Sequence, residues 1–132
     1  MNLLLDTNIC VFHLRGKINI NQIRTEKKAN LFVSEITVLE LYFGAENSEN
    51  QQKSYSAVDE LLKEFNIISI QGCAKKYAEE KNYLNKNGTP IHNEFDLLIG
   101  VTAVVNKLTL VTDNFKDFKN IRNLKIENWI ER

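Results

Sequence analysis

The chain alternates short apolar runs with longer segments in which apolar residues recur every three or four positions. A short apolar run is typical of a buried strand, whereas the longer period is typical of a helix packed on one face. The pattern predicts strands at residues 2–5, 31–33, 67–70, 109–111 and 124–126. It predicts helices at residues 7–14, 18–29, 35–45, 55–65, 71–87 and 93–106, with a polar turn at residues 46–54.

Strands that alternate with helices predict βαβ units, in which crossover helices join parallel strands. We therefore expect an α/β fold with three layers, in which helices flank a central, mostly parallel sheet on both faces. Ser34 is expected to cap the helix that follows it, and Gly88 to end the helix before it. Because the 132 residues contain no repeat, low-complexity tract or proline-rich linker, we expect a single domain over residues 1–132.

Charge and cysteine content restrict the function classes further. The chain carries 17 basic and 17 acidic side chains, which argues against a protein that binds nucleic acid through bulk positive charge. Cys10 and Cys73 belong to no CxxC pair, so we expect free thiols in a reducing compartment. No apolar stretch approaches the roughly 20 residues that span a bilayer. These features predict a cytoplasmic protein with no membrane partner.

Four acidic residues stand at informative positions. Asp6 directly follows the first predicted strand, and Asp113 follows the strand at residues 109–111. In open parallel sheets, ligands bind beyond the carboxyl ends of strands, where the strand order reverses. Glu40 and Asp96 interrupt apolar helical runs, and a buried carboxylate is costly unless it is paired or bound to a metal.

Each acid alone also has an ordinary interpretation. Asp6 is then a helix cap, Glu40 a solvated helix position, Asp96 a first-turn acid that suits the helix dipole, and Asp113 a turn residue. Together, however, the four are compatible with one crevice. Carboxylate oxygens are the ligands that Mg²⁺ and Mn²⁺ prefer, and two such cations assist phosphodiester cleavage. The pattern thus predicts a carboxylate site for divalent cations.

Four motifs occur in the order LLLDTN, VSEITVLELYFGA, PIHNEFDLLIGVTAV and LTLVTDNFKDF. They resemble PIN-domain ribonucleases, and among these the VapC-type toxins of type II toxin–antitoxin pairs, over the whole chain including its LKIENW segment. The resemblance implies a PIN-like α/β fold and an endoribonuclease dependent on Mg²⁺, with Mn²⁺ as a substitute. It implies four residues that bind the metal and act in catalysis: Asp6, Glu40, Asp96 and Asp113. It implies three supporting residues: Thr7, Asn8 and Thr112.

The resemblance also implies partners. They are an RNA substrate such as transfer or ribosomal RNA, a small antitoxin whose C-terminal segment occupies a groove, and a second copy of the chain. One departure from the family pattern is GVTA where relatives often have IAAxA, and Gly100 keeps that position small. Two divalent cations would cancel four carboxylates, so the metal-loaded protein is expected to present a modestly basic surface to RNA.

Two other function classes stay open at this point. One is a non-catalytic PIN-like adaptor that binds RNA or protein. The other is a phosphohydrolase with a nucleophilic aspartate after a strand, but that chemistry needs an acid two residues later, where Asn8 stands. His13, His92 and Glu94 receive no role from the sequence. A further set of basic side chains is a candidate rim for RNA phosphates: Arg15, Lys17, Arg24, Lys27 and Lys28.

Overall fold

The structure of the chain, a computed structural model, describes residues 1–130. The strands in this part are β1 (Asn2–Leu5), β2 (Asn30–Ser34), β3 (Asn66–Ile68), β4 (Thr109–Val111) and β5 (Ile126–Glu127). The helices are α1 (Thr7–Leu14), α2 (Ile20–Lys27), α3 (Glu35–Glu46), α4 (Gln51–Leu62), α5 (Ala74–Lys86), α6 (Glu94–Val105) and α7 (Phe115–Phe118). No helix among them is long and apolar enough to cross a bilayer.

The five strands form one sheet in the order β3-β2-β1-β4-β5, and all four pairings are parallel. From β1 the chain first adds β2 and β3 on one side, and only later adds β4 and β5 on the other. The strand order therefore reverses beside β1, and a crevice is expected at the carboxyl ends of β1 and β4. In the register of this pair, Leu5 lies opposite Val111, so both strands end at the same level.

The helices cover both faces of the sheet. Leu3 and Leu5 of β1 pack into one buried cluster with α1, α3 and α4, whereas Leu4 packs into a second cluster with α5, α6 and α7. This alternation follows from the two-residue period of a strand, whose successive side chains point to opposite faces. The predicted three-layer α/β fold with a parallel sheet is confirmed.

Most predicted elements are present, and two predicted caps are confirmed. The hydroxyl of Ser34 accepts a hydrogen bond from the Ile36 amide at 3.1 Å, which begins α3. Gly88 follows α5 with a φ of +71°, a left-handed conformation that suits glycine. The two cysteines are buried and free, as predicted.

Several elements differ from their predicted bounds, and one helix was not predicted. Helix α4 begins at Gln51, inside the predicted turn, rather than at residue 55, because the Asn50 side chain accepts a hydrogen bond from the Lys53 amide and caps the helix. Helix α7 was not predicted, since four residues are too short for a helical period. Strand β5 lies at Ile126–Glu127, displaced along the chain from the expected 124–126.

Candidate functional site

Asp6 lies at the carboxyl end of β1 and is only 3% exposed. Its Oδ1 accepts a hydrogen bond from the Ile9 amide at 3.0 Å, which makes Asp6 the N-cap of α1. Its Oδ2 accepts a hydrogen bond from the hydroxyl of Thr112, directly after β4. The interpretation of Asp6 as a helix cap is confirmed, and the cap fixes the carboxylate at the crevice between β1 and β4.

Asp96 reaches the same crevice from the first turn of α6. The Asn93 side chain caps this helix and accepts a hydrogen bond from the Asp96 amide at 3.3 Å. The Asp96 carboxylate lines a cavity of about 300 Å³, which His92 and Lys116 also line. Asp113, after β4, lines a second cavity of about 590 Å³ together with Asn8 and Lys116.

Glu40 is held by hydroxyl groups rather than by a cation. The Thr7 hydroxyl donates to Glu40 Oε1 at 2.6 Å, and it lies 3.0 Å from the hydroxyl of Thr37. Since the single Thr7 proton goes to Glu40, Thr37 must be the donor to Thr7. Thr37 is fully buried one turn before Glu40, and sequence reasoning assigned it no role. A hydroxyl on the apolar face at this spacing was the available signal.

The electrostatics show that the four predicted acids act on one another. Burial raises the pKa of Asp6 to about 6, and the charges of Asp113 and Asp96 add to the effect, against the hydrogen bonds from Thr112 and Ile9. Burial likewise raises the pKa of Asp96 to about 6, with further repulsion from Glu40. The structure therefore brings the four acids into one interacting group, although their catalytic and metal-binding roles remain a prediction.

The donors of this group suit a divalent cation. Within residues 1–130, no three His, Cys, Asp or Glu side chains stand close enough to hold a metal ion by themselves. Mg²⁺, however, usually binds through one or two protein carboxylates and keeps several waters. In the same part of the chain, no Lys, Arg or His forms an ion pair with Asp6, Glu40 or Asp96. An all-oxygen donor set around the buried Asp6 fits a hard divalent metal.

Two residues without a predicted role are used elsewhere in the fold. Glu94 accepts hydrogen bonds from Lys81 at 2.8 Å and from the Tyr77 hydroxyl, and these bonds lower its pKa. His13 Nδ1 accepts a hydrogen bond from the Ile20 amide at 3.2 Å, which fixes the turn between α1 and α2. Glu94 and His13 therefore support the fold outside the acid group.

Some of the basic side chains named as a candidate rim have partners within the fold. Arg24 pairs with Glu64 at 2.8 Å, and Lys27 pairs with Glu127 at 3.4 Å. Arg15 alone among the five lines a cavity with Glu40. Two of the five side chains are thus engaged in ion pairs, and a basic rim formed by all five stays a prediction.

A profile of the PIN domain family matches residues 3–124. The protein named Ribonuclease VapC2 of Rickettsia felis is 36% identical over 130 residues, which cover 96% of this chain and 96% of that protein. The tRNA(fMet)-specific endonuclease VapC of Shigella flexneri is 26% identical, with 98% of each chain covered.

Among solved structures, the fold is similar to VapBC2 from Rickettsia felis bound to a DNA fragment from its promoter. The TM-score is 0.89 and the identity 34%, over 98% of this chain and 100% of that chain. Since both sequence and fold agree over nearly the whole length, the chain belongs to the PIN-domain family, among the VapC ribonucleases.

Proposed function

We propose that the chain is the endoribonuclease toxin of a toxin–antitoxin pair and that it cleaves RNA with Mg²⁺, or Mn²⁺ as a substitute, at its acid group. One observation carries this proposal. Asp6 and Asp96 are carboxylates whose pKa is raised by burial and by repulsion from neighbouring acids, at the carboxyl edge of the sheet. We also infer that residues 1–132 form one nuclease domain.

The roles of the side chains follow from their positions. A bound divalent cation supplies a water of lowered pKa and neutralises charge on the phosphodiester oxygens. Asp6 and Asp96 would hold it, with Asp113 and Glu40 completing the negative site. Thr112 orients Asp6, and Thr7 orients Glu40, through the hydrogen bonds described above. Asn8, the third supporting residue, lines the cavity of Asp113.

The RNA substrate is the finer part of the proposal. Transfer RNA is the first substrate to test, because the Shigella flexneri relative is named a tRNA(fMet)-specific endonuclease. Ribosomal RNA is the second. Transfer and ribosomal RNA are found in the cytoplasm. A cytoplasmic location is therefore part of this proposal.

An antitoxin partner is supported by the fold neighbours, which are VapBC toxin–antitoxin complexes. A groove of about 460 Å³ between α1, α3 and α4 suits such a partner. Apolar side chains such as Val11, Leu41 and Val58 line its length, and Glu40 lies at its wall. A segment with apolar side chains and one basic residue would fill the groove and place a positive charge near the acid group.

A second copy of the chain is also part of the proposal. Leu39 and Phe43 are 58% and 69% exposed, and their four-residue spacing puts them on one face of α3. Large exposed apolar side chains that share a face are typical of an interaction surface. We expect a Leu39→Lys, Phe43→Lys double variant to elute as a monomer in light-scattering chromatography, where the wild type elutes as a dimer.

Cleavage of tRNA in the presence of Mg²⁺ or EDTA tests the activity. We expect wild type to cut with Mg²⁺ and to be inactive with EDTA, and Asp96→Asn to be inactive with either. Glu94→Gln is the matched control. Because Glu94 pairs with Lys81 outside the acid group, this variant should cleave at the wild-type rate. Equal cleavage by wild type and Asp96→Asn would overturn the proposal. Binding of RNA by wild type without any cleavage would favour the non-catalytic adaptor, which the ribonuclease relatives do not favour.

A further inference from the structure

The segment after β4 carries two exposed side chains beside the acid group that neither the fold nor the metal site uses. Phe115 is 59% exposed, whereas Phe118, one turn further on, is 1% exposed and anchors α7 in the core. Packing of α7 therefore needs Phe118 and leaves Phe115 outside. An aromatic ring kept at the surface next to a polar cavity is available to a ligand.

Phe115 and Lys116 line the cavity of about 590 Å³ that contains Asp113. Lys116 also lines the cavity of about 300 Å³ that contains Asp96. Lys116 thus stands between the two cavities. It forms no ion pair within residues 1–130, although Asp113, Asp96 and Asp117 all line the same two cavities.

We propose that Phe115 and Lys116 form a nucleotide subsite of the nuclease, in which Phe115 stacks on an unpaired base next to the cleaved bond and Lys116 contacts a backbone phosphate. The proposal rests on the proposed RNA-cleaving function. Aromatic side chains bind single-stranded RNA by stacking on bases, and lysine binds phosphate as a point charge. The ring of Phe115 and the cation of Lys116 stand on adjacent residues at the edge of a carboxylate site. Together they can bind the base and the phosphate of one nucleotide.

The same pair fits a protein partner less well. An antitoxin segment that neutralised the acid group would bring positive charge, and Lys116 would repel it. The charge of Lys116 therefore favours a polyanion over a basic peptide at this position. His92 is exposed and lines the Asp96 cavity together with Lys116.

Binding of a fluorescein-labelled, unstructured oligoribonucleotide to the full chain tests the subsite, with Ca²⁺ in place of Mg²⁺ so that binding is measured without cleavage. A series of the same oligonucleotide carries one abasic nucleotide at successive positions. For wild type we expect one position at which base removal weakens binding at least about fivefold. In Phe115→Leu, which keeps an apolar side chain without a ring, that position should lose its effect, and Phe115→Tyr should restore it.

The lysine has a separate readout. Lys116→Gln should weaken binding at every sequence and lower the slope of log affinity against log salt by about 0.7, as expected for one lost phosphate contact on a single strand. Lys119→Gln, on the same turn but outside both cavities, is the matched control and should leave the slope unchanged. An equal change in slope for Lys116→Gln and Lys119→Gln would assign the effect to general charge and overturn the role of Lys116.

The inference and the proposed function fail in different ways. Cleavage by wild type, with the same abasic profile in wild type and Phe115→Leu, overturns the subsite and leaves the nuclease intact. An abasic profile that depends on Phe115, without cleavage under Mg²⁺ or Mn²⁺, supports the subsite and overturns the nuclease. Wild type that neither binds nor cleaves RNA overturns both.

Discussion

Two buried carboxylates of this chain, Glu80 and Asp6, are stabilised in opposite ways. Glu80, on α5, is fully buried, and its Oε1 lies 2.7 Å from Arg122 Nε and 3.3 Å from Lys76 Nζ. Its Oε2 accepts a further hydrogen bond from the Arg122 amide at 3.2 Å. The Arg122 guanidinium in turn lies 3.8 Å above the Tyr83 ring. The cations that this carboxylate needs are part of the fold.

Asp6 is almost as buried, but neutral groups surround it. Its partners are an amide and a hydroxyl, and its charged neighbours, Asp96 and Asp113, are also acids. Burial of a charge costs several kcal/mol unless an opposite charge is near, so Glu80 satisfies that need within the chain and Asp6 does not. The difference separates a structural carboxylate from one that we propose receives a cation from outside.

Removal of the cation-free carboxylates should have the largest effect on activity. We expect Asp6→Asn or Asp96→Asn to lower RNA cleavage by more than about 100-fold, because even residues that only support a metal ligand cost 10–100-fold. The unfolding midpoint in EDTA should not fall, since an uncompensated charge is removed. Initial cleavage rates and thermal melts measure the two effects. A large loss of stability in either variant without metal would contradict the contrast drawn between Asp6 and Glu80.

Removal of the paired carboxylate of Glu80 should lower stability and leave activity unchanged. We expect Glu80→Gln to lower the free energy of unfolding by about 2 kcal/mol, below the usual cost of breaking a buried pair because Arg122 can regain water. Arg122 is 43% exposed on its side chain, which supports that discount. Cleavage per folded molecule should stay at the wild-type level. Urea denaturation and rate measurements at low temperature check both parts.

The pH dependence of stability should sharpen the comparison next. The pKa of Asp6 is about 6 in the folded chain against 3.8 as its ordinary value, so the unfolded state loses its proton first as the pH rises. The stabilising contribution is complete below about pH 4 and is lost as the pH rises through about 6. The Asp96 carboxyl, also at about 6, acts in the same direction.

In EDTA we expect wild type to lose about 2 kcal/mol relative to Asp6→Asn between about pH 4 and about pH 7. Saturating Mn²⁺ should abolish this loss, because a bound cation stabilises the ionised carboxylate. Urea denaturation of both proteins at several pH values gives the difference directly. A difference that does not change with pH would show that Asp6 is not under electrostatic stress.

The smallest expected effect concerns the hydroxyl groups that hold the site. Thr7→Val removes the donor to Glu40 and should lower cleavage by about tenfold, at the lower end of the range for groups that orient metal ligands. Thr7→Ser should restore the rate. Thr25→Val is the matched control, since the Thr25 hydroxyl donates to the Asn21 carbonyl within α2. Failure of Thr7→Ser to restore the rate would assign the loss to packing rather than to hydrogen bonding.

The sequence predicted the acid group better than it predicted the paired carboxylate Glu80. Asp6 and Asp113 directly follow strands whose parallel order brings their ends together, so their proximity could be inferred from position alone. Glu80 could not be found in this way, because it lies in a polar helix and its partner Arg122 is 42 residues away. The proposed role of Lys116 was missed for the same reason, since it depends on contacts between elements rather than on spacing within one.

The bounds of the short elements show a second limit. The start of helix α4 is decided by the cap at Asn50, and the start of strand β5 by its pairing with β4. The spacing of hydrophobic residues gives no information on either, so both elements were misplaced. The β1 and β4 strands, buried in the centre of the sheet, were predicted with their observed bounds. The elements that position the acid group are those that the pattern specifies best.

The most direct test of the account is Mn²⁺ binding to the purified full chain, followed by the loss of the free Mn²⁺ signal in electron paramagnetic resonance. We predict that wild type and Glu80→Gln bind Mn²⁺ alike and that an Asp6→Asn, Asp96→Asn double variant does not bind it. Binding by the double variant at the wild-type level would contradict the claim that the cation-free carboxylates form the metal site.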